Sequence, residues 1–127
     1  MSLFKNLFNS DKAEKENPNP LPWKQLTTVS QLDEIVELSK TQTLLIFKHS
    51  TRCGISRMVL NRFESGIDKE TPDVMFYSLD LLNFREVSNE IASRFQVMHQ
   101  SPQVLVIKNG TCVAHGSHYD ILEMEIA

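Results

Sequence analysis

One cysteine, Cys53, stands in the run Lys48-His49-Ser50-Thr51-Arg52-Cys53-Gly54-Ile55-Ser56-Arg57, where an apolar segment ends and a helical pattern begins. The thiolate is the nucleophile of sulfur chemistry. Unpaired N–H groups at a helix N-terminus and nearby cations both favour it. Lys48, Arg52 and Arg57 supply positive charge, and no acidic residue interrupts the run. Such surroundings lower a thiol's pKa, so Cys53 is expected to be thiolate at neutral pH and to attack disulfides. Thr51 and Gly54 are not core residue types, and glycine beside the sulfur leaves room for a substrate to approach.

Ser56 stands where a dithiol enzyme carries its second cysteine. Its hydroxyl can donate to the thiolate or cap the helix, but it cannot resolve a mixed disulfide. The other cysteine, Cys112, follows the turn at Asn109-Gly110, whereas Pro102 begins the same hairpin at the end expected near Cys53. A strand of that length separates the two ends by roughly 20 Å. A disulfide tolerates a Cα separation of only about 7 Å. Cys112 therefore reads as a hairpin core or edge residue, and the chemistry as that of one cysteine. His49 is expected to act as a cation or hydrogen-bond donor near the thiolate. The remaining histidines have no partner at zinc-ligand spacing, so no metal site is expected.

The elements that position these residues follow from hydrophobic period. Leu32, Ile35 and Val36 predict a helix over 31–40 with Ser30 as its N-cap. Thr43-Leu44-Leu45-Ile46-Phe47 is a continuous apolar run, the mark of a strand buried on both faces. Ile55, Met58, Val59 and Phe63 predict the face of a helix that starts at Cys53 and stops at Gly66. A second strand is read over 74–79. The next helix, over 84–95, carries Val87, Ile91 and Phe95, with Asn83 as a possible cap. Val104-Leu105-Val106-Ile107 and Cys112-Val113-Ala114 flank Asn109-Gly110, the signal of a type I′ hairpin. Trp23 reads as a core aromatic on a first edge strand. This order, with a cysteine opening the helix after the long strand, describes an α/β thioredoxin-like fold: a central mixed sheet flanked by helices. Tyr119 to Ala127 leaves room for only an abbreviated C-terminal helix. In that fold a cis proline faces the reactive sulfur, so Ser101-Pro102 is expected to be cis and, with Thr51, Lys48 and Arg57, to bind substrate.

Length and charge bound the rest. The 127 residues fit one domain without a disulfide or metal staple. Residues 1–22 read as a tail or linker and residues 23–127 as the domain. In the tail, Leu3, Phe4, Leu7 and Phe8 could form one apolar helical stripe that docks on the domain or on a partner; its shortness, with only Lys5 for positive charge, disfavours a membrane-surface role. Two cysteines, no signal peptide and no membrane-length apolar run point to a soluble, cytoplasmic protein. The net charge is −3 although Lys48, Arg52 and Arg57 contribute +3, so nucleic-acid binding is not expected and positive charge gathers around the thiol.

The segments Phe47 to Ser56, Ser101-Pro102-Gln103-Val104, Lys108-Asn109-Gly110 and Ser117-His118 together resemble the monothiol bacilliredoxin family of thioredoxin-like proteins. The resemblance runs from about Trp23 to Ile121. It implies an enzyme, a thiol-disulfide oxidoreductase whose Cys53 removes bacillithiol, a low-molecular-weight thiol bearing a malate group, from protein mixed disulfides. Bacillithiol would be a co-substrate and no cofactor would stay bound. Thiolated client proteins would be the partners of a monomer, and the cationic cluster would suit the malate carboxylates. One position departs: the family usually has proline where this chain has Gly54. Cys53-Gly54-Ile55-Ser56 is also similar to the Cys-Gly-Phe-Ser motif of monothiol glutaredoxins, which implies a [2Fe–2S] cluster held with glutathione. Their glutathione-gripping Gly-Gly-x-Asp segment is only loosely echoed by Gly116-Ser117-His118-Tyr119-Asp120. A third reading is a non-catalytic thioredoxin-fold binding module.

Overall fold

A computed structural model describes residues 21–50, 54–66 and 74–124. The apolar stripe at Leu3 to Phe8 lies outside these residues, as do Thr51, Arg52 and Cys53. The elements in chain order are β1 (Lys24–Gln25), α1 (Ser30–Leu38), β2 (Thr43–His49), α2 (Gly54–Gly66), β3 (Val74–Asp80), α3 (Arg85–Phe95), β4 (Gln103–Lys108) and β5 (Thr111–Ser117). A 3₁₀ helix (His118–Glu123) follows where the sequence predicts the abbreviated last helix.

The strands form one sheet in the order β1-β3-β2-β4-β5. β2 pairs parallel with β3 and antiparallel with β4, which makes the sheet mixed and puts β2 at its centre. Alternation along β2 splits the core into two layers. Leu44 and Ile46 join Leu32 and Ile35 of α1 and Val87, Ile91 and Phe95 of α3. Leu45 and Phe47 join Val59 and Phe63 of α2 and Ile121 of the 3₁₀ helix. Leu21, within the stretch that the sequence assigns to the tail, is buried in this second layer at 5% exposure. Trp23 packs edge-on against Phe47 and Phe76, and its Nε1–H donates to Glu64.

Three local expectations are corrected. Ser30 does not cap α1; Thr28 and Gln31 form a reciprocal capping box instead. Gln31 Oε1 accepts the Thr28 N–H at 3.0 Å, and Thr28 Oγ1 accepts the Gln31 N–H at 3.3 Å. Asn83 does not cap α3, because its side chain donates to Asp80 at 2.6 Å. Ile55 is 43% exposed, and the residues that α2 buries are Ser56, Val59, Phe63 and Glu64.

The hairpin turn matches expectation, with φ of 52° at Asn109 and 78° at Gly110. It is pinned to the end of α1: Ser39 O accepts the Asn109 N–H and Ser39 Oγ accepts the Gly110 N–H, each at 2.8 Å. A Cβ at Gly110 would meet only Val36 Cγ1 at 3.6 Å, an ordinary contact, so the left-handed backbone alone opposes a side chain. Gly110→Ala is expected to cost about 1 kcal/mol, read as a lower urea midpoint at unchanged slope.

Candidate active site

The sheet brings three chain segments to one end. β2 leads from His49 through Ser50 to Gly54, the first residue of α2, so Cys53 immediately precedes that helix. β4 begins beside β2, with Gln103 paired to Lys48. The bond before it, Ser101–Pro102, is cis, as the sequence predicts. The Pro102 carbonyl accepts the His118 N–H at 3.0 Å, where His118 takes a φ of 55° at the start of the 3₁₀ helix. The proline segment is thereby tied to the chain that leaves β5.

Residues 48 and 49 point to opposite faces of the sheet. His49 shares its face with Phe47 and α2. Its Nε2 lies 2.9 Å from Ser78 Oγ on β3. Burial pushes the His49 pKa below the ordinary histidine value, partly opposed by Asp80, its register partner on β3. Burial thus disfavours the cationic form expected at His49, and the contact the structure gives its ring is the hydrogen bond with Ser78.

Lys48 lies on the other face and is 0% exposed. It is not part of a surface cationic cluster and cannot bind a substrate directly. Its stem runs in the layer under α3, and its Nζ donates to Ser88 O at 3.2 Å and lies 3.3 Å from His99 Nδ1. Burial lowers its pKa from 10.5 to about 8. The sequence conceals this because adjacent strand residues read as neighbours along the chain while the pleat sends them apart.

Ser56 is buried at 1% exposure, and its Oγ accepts the Ser50 N–H at 3.3 Å, bridging the loop that contains Cys53. Arg57, next along α2, is exposed. A Cβ built on Gly54 meets nothing within 4 Å, so the space beside residue 54 is open. Cys112 pairs with Ile107 at the far end of the hairpin and packs against the layer opposite α2. Its thiol donates to Ala114 O at 3.3 Å, and burial pushes its pKa up, the reverse of an activated cysteine. His99 and Gln103 were missed by the sequence reading; the one signal was a glutamine opening an otherwise apolar strand. Among the described residues no group of three or more His, Cys, Asp or Glu could hold a metal ion, and no helix is long and apolar enough to cross a membrane.

A thiol preceding a helix, with a cis proline opening the adjacent antiparallel strand, defines a thioredoxin-fold thiol oxidoreductase. Solved structures agree on the fold. An oxidoreductase with a thioredoxin fold is 28% identical, with a TM-score of 0.69 over 80% of this chain and 88% of that one. Malassezia sympodialis thioredoxin is 18% identical, with a TM-score of 0.64 over 87% and 90% of the two chains. Fasciola hepatica thioredoxin is 24% identical, with a TM-score of 0.60 over 74% and 85%. The family model for monothiol bacilliredoxin BrxC matches residues 24–126, and the chain belongs to that family. A 65-residue stretch is also 28% identical to the ATP-dependent lipid A-core flippase of Blochmanniella floridana, but it spans only 11% of that protein's length.

Proposed function

We propose that this protein is a cytoplasmic monothiol oxidoreductase that removes bacillithiol from protein mixed disulfides through Cys53. The observation that carries the reading is the cis Ser101–Pro102 bond at the start of β4, beside the strand that leads to Cys53, in a chain whose α2 bears Ser56 instead of a second thiol. The Cys53 thiolate attacks the bacillithiol sulfur of the mixed disulfide. A bond forms between Cys53 and bacillithiol, the client–bacillithiol bond breaks, and the client leaves as a thiolate. A second low-molecular-weight thiolate then attacks the bacillithiol sulfur on Cys53, leaving a small-molecule disulfide and the free enzyme thiolate. No electrons are left unaccounted for, and no bound cofactor enters.

The other residues support these steps. His49 beside Ser78 offers a hydrogen bond on the α2 face, and Ser56 holds the loop through Ser50. Ser101, Pro102 and Thr51 meet the substrate. Arg57, with Arg52, replaces the larger cluster as the seat for the malate carboxylates, since Lys48 is enclosed. Cys53 needs no partner subunit for either step, consistent with a monomer acting on thiolated clients.

The test is a model client carrying bacillithiol in a mixed disulfide, incubated with the purified protein. Mass spectrometry is expected to show the bacillithiol adduct move from the client to Cys53 and disappear on addition of free thiol. No transfer above the rate without protein would sink the proposal. Brown colour after anaerobic reconstitution with iron, sulfide and glutathione would instead favour the cluster reading, and failure of both a binding module.

A further inference from the structure

Two enclosed polar side chains, side by side in the sheet, hold the segment that precedes the cis proline. Lys48 and Gln103 are register partners on β2 and β4, exposed by 0% and 1%. Gln103 Nε2 donates to Met98 O at 2.9 Å, and Gln103 Oε1 accepts the Gln100 N–H at 3.4 Å. Between those two residues, His99 Nδ1 lies 3.3 Å from Lys48 Nζ. Three successive residues are thus held from below, and the next two are Ser101 and Pro102. A polar pair in an interior of leucine, isoleucine and valine costs free energy unless its hydrogen bonds are made. Here Gln103 makes both of its bonds to the loop 98–100, and Lys48 bridges that loop, through His99, to Ser88 O on α3 at 3.2 Å.

We propose that Lys48 and Gln103 are positioning residues that set the Pro102 segment for substrate, and that His99 makes their hold proton-dependent. The inference rests on the reading of Pro102 as substrate-facing. An ammonium only donates, so His99 Nδ1 must accept and the neutral ring carries its proton on Nε2. Protonation places a second proton on Nδ1, facing Lys48, and the contact is lost. The charges that bear on His99 are Lys48 from β2 and Arg85 from α3, both positive. Ser88 of α3 adds a neutral hydroxyl 3.4 Å from Nδ1. Burial and these two cations lower the His99 pKa from its ordinary 6.5, which puts the release below that pH. His99 is exposed on its other side, so bulk protons reach it.

Two measurements decide the matter. In steady-state reduction of the bacillithiol mixed disulfide, KM of the parent is expected to rise at least about fivefold between pH 7 and pH 5, the low end for coupled sites. His99→Asn, whose amide oxygen accepts without titrating, is expected to keep KM flat, and Lys48→Met to hold it high throughout. Equal pH dependence in the parent and His99→Asn would overturn the proposal. The second readout needs no activity: by NMR, the amides of Ser101 and Gln103 should shift with the His99 ring titration, and cease to do so in Lys48→Met. A ring that titrates while those amides stay still would also overturn it. Coupled amides in a protein that moves no bacillithiol would instead count against the proposed substrate and leave the positioning intact.

Discussion

Replacing Cys53 with serine is expected to lower bacillithiol transfer to the uncatalysed rate, a loss on the order of 10³-fold or more, because a serine hydroxyl is not ionised at neutral pH and no other cysteine can substitute. Cys112 is at the opposite end of the hairpin, on the opposite face, with its thiol held protonated by burial. Ser56→Cys should show the complementary change. Residue 56 lies in the first turn of α2, three positions after Cys53 along the chain. A thiol there meets the Cys53–bacillithiol disulfide at an effective concentration far above that of free thiol. It attacks the Cys53 sulfur, forms an internal disulfide between positions 53 and 56, and expels bacillithiol as a thiolate. In a single turnover without added thiol, the parent should retain a bacillithiol adduct on Cys53. Ser56→Cys should end two hydrogens lighter and adduct-free. An adduct that persists in Ser56→Cys would place residue 56 out of reach of the sulfur. An adduct absent from the parent would refute the one-cysteine chemistry itself.

The sequence made the frame of this site legible because its signals are local. A five-residue apolar run of strand length reads as a central strand, Asn109-Gly110 satisfies a turn that demands two positive φ angles, and Val87, Ile91 and Phe95 all point one way on α3. Ser101–Pro102 was legible only through the fold, since nothing in the dipeptide distinguishes cis from trans. What failed was inference from proximity along the chain. Lys48 was grouped with Arg52 and Arg57 because they are close in number, yet its position on a pleated strand sends it through the sheet to α3. Ser30 was chosen as a cap by residue type, but the reciprocal bonds of Thr28 and Gln31 satisfy the free donors better. Ile55 reads as a buried face residue on period alone, although the buried face of α2 keeps Val59 and Phe63 and takes in Ser56 while Ile55 is exposed. His99 and Gln103 carry no motif, and their meaning arises only when β2 and β4 pair.

Lys48→Met should make the protein at least as stable as its parent at pH 7, while weakening substrate engagement. The ammonium of Lys48 is enclosed, and among the described residues it has no carboxylate in ion-pair contact. Its pKa in the fold is about 8 against an ordinary 10.5. Between these values the unfolded chain holds a proton that the folded chain has given up, so this group makes stability rise with pH across that window. Below pH 8 the full penalty is present, on the order of 3 kcal/mol. Methionine fills the same unbranched volume without charge, but it removes the ammonium donor from Ser88 O and His99 Nδ1, which returns about 1–3 kcal/mol. The net at pH 7 is neutral to stabilising, as replacing a buried charge by an apolar residue often is. The sharper readout is the difference between variant and parent, which should move in favour of the parent by about 3 kcal/mol from pH 7.5 to 10.5. Cys112 and Tyr77, both pushed up by burial, make stability fall at high pH, but they do so equally in the two proteins and cancel in the difference. Urea unfolding at pH 7.5, 9 and 10.5 measures it, and a pH-independent difference would show that Lys48 is not a desolvated amine. If the variant is as stable as expected and yet binds its mixed disulfide more weakly at neutral pH, packing cannot explain a lysine at this position. The cost of burying its charge is then offset at the proline loop, where the same ammonium holds His99 three residues before Pro102.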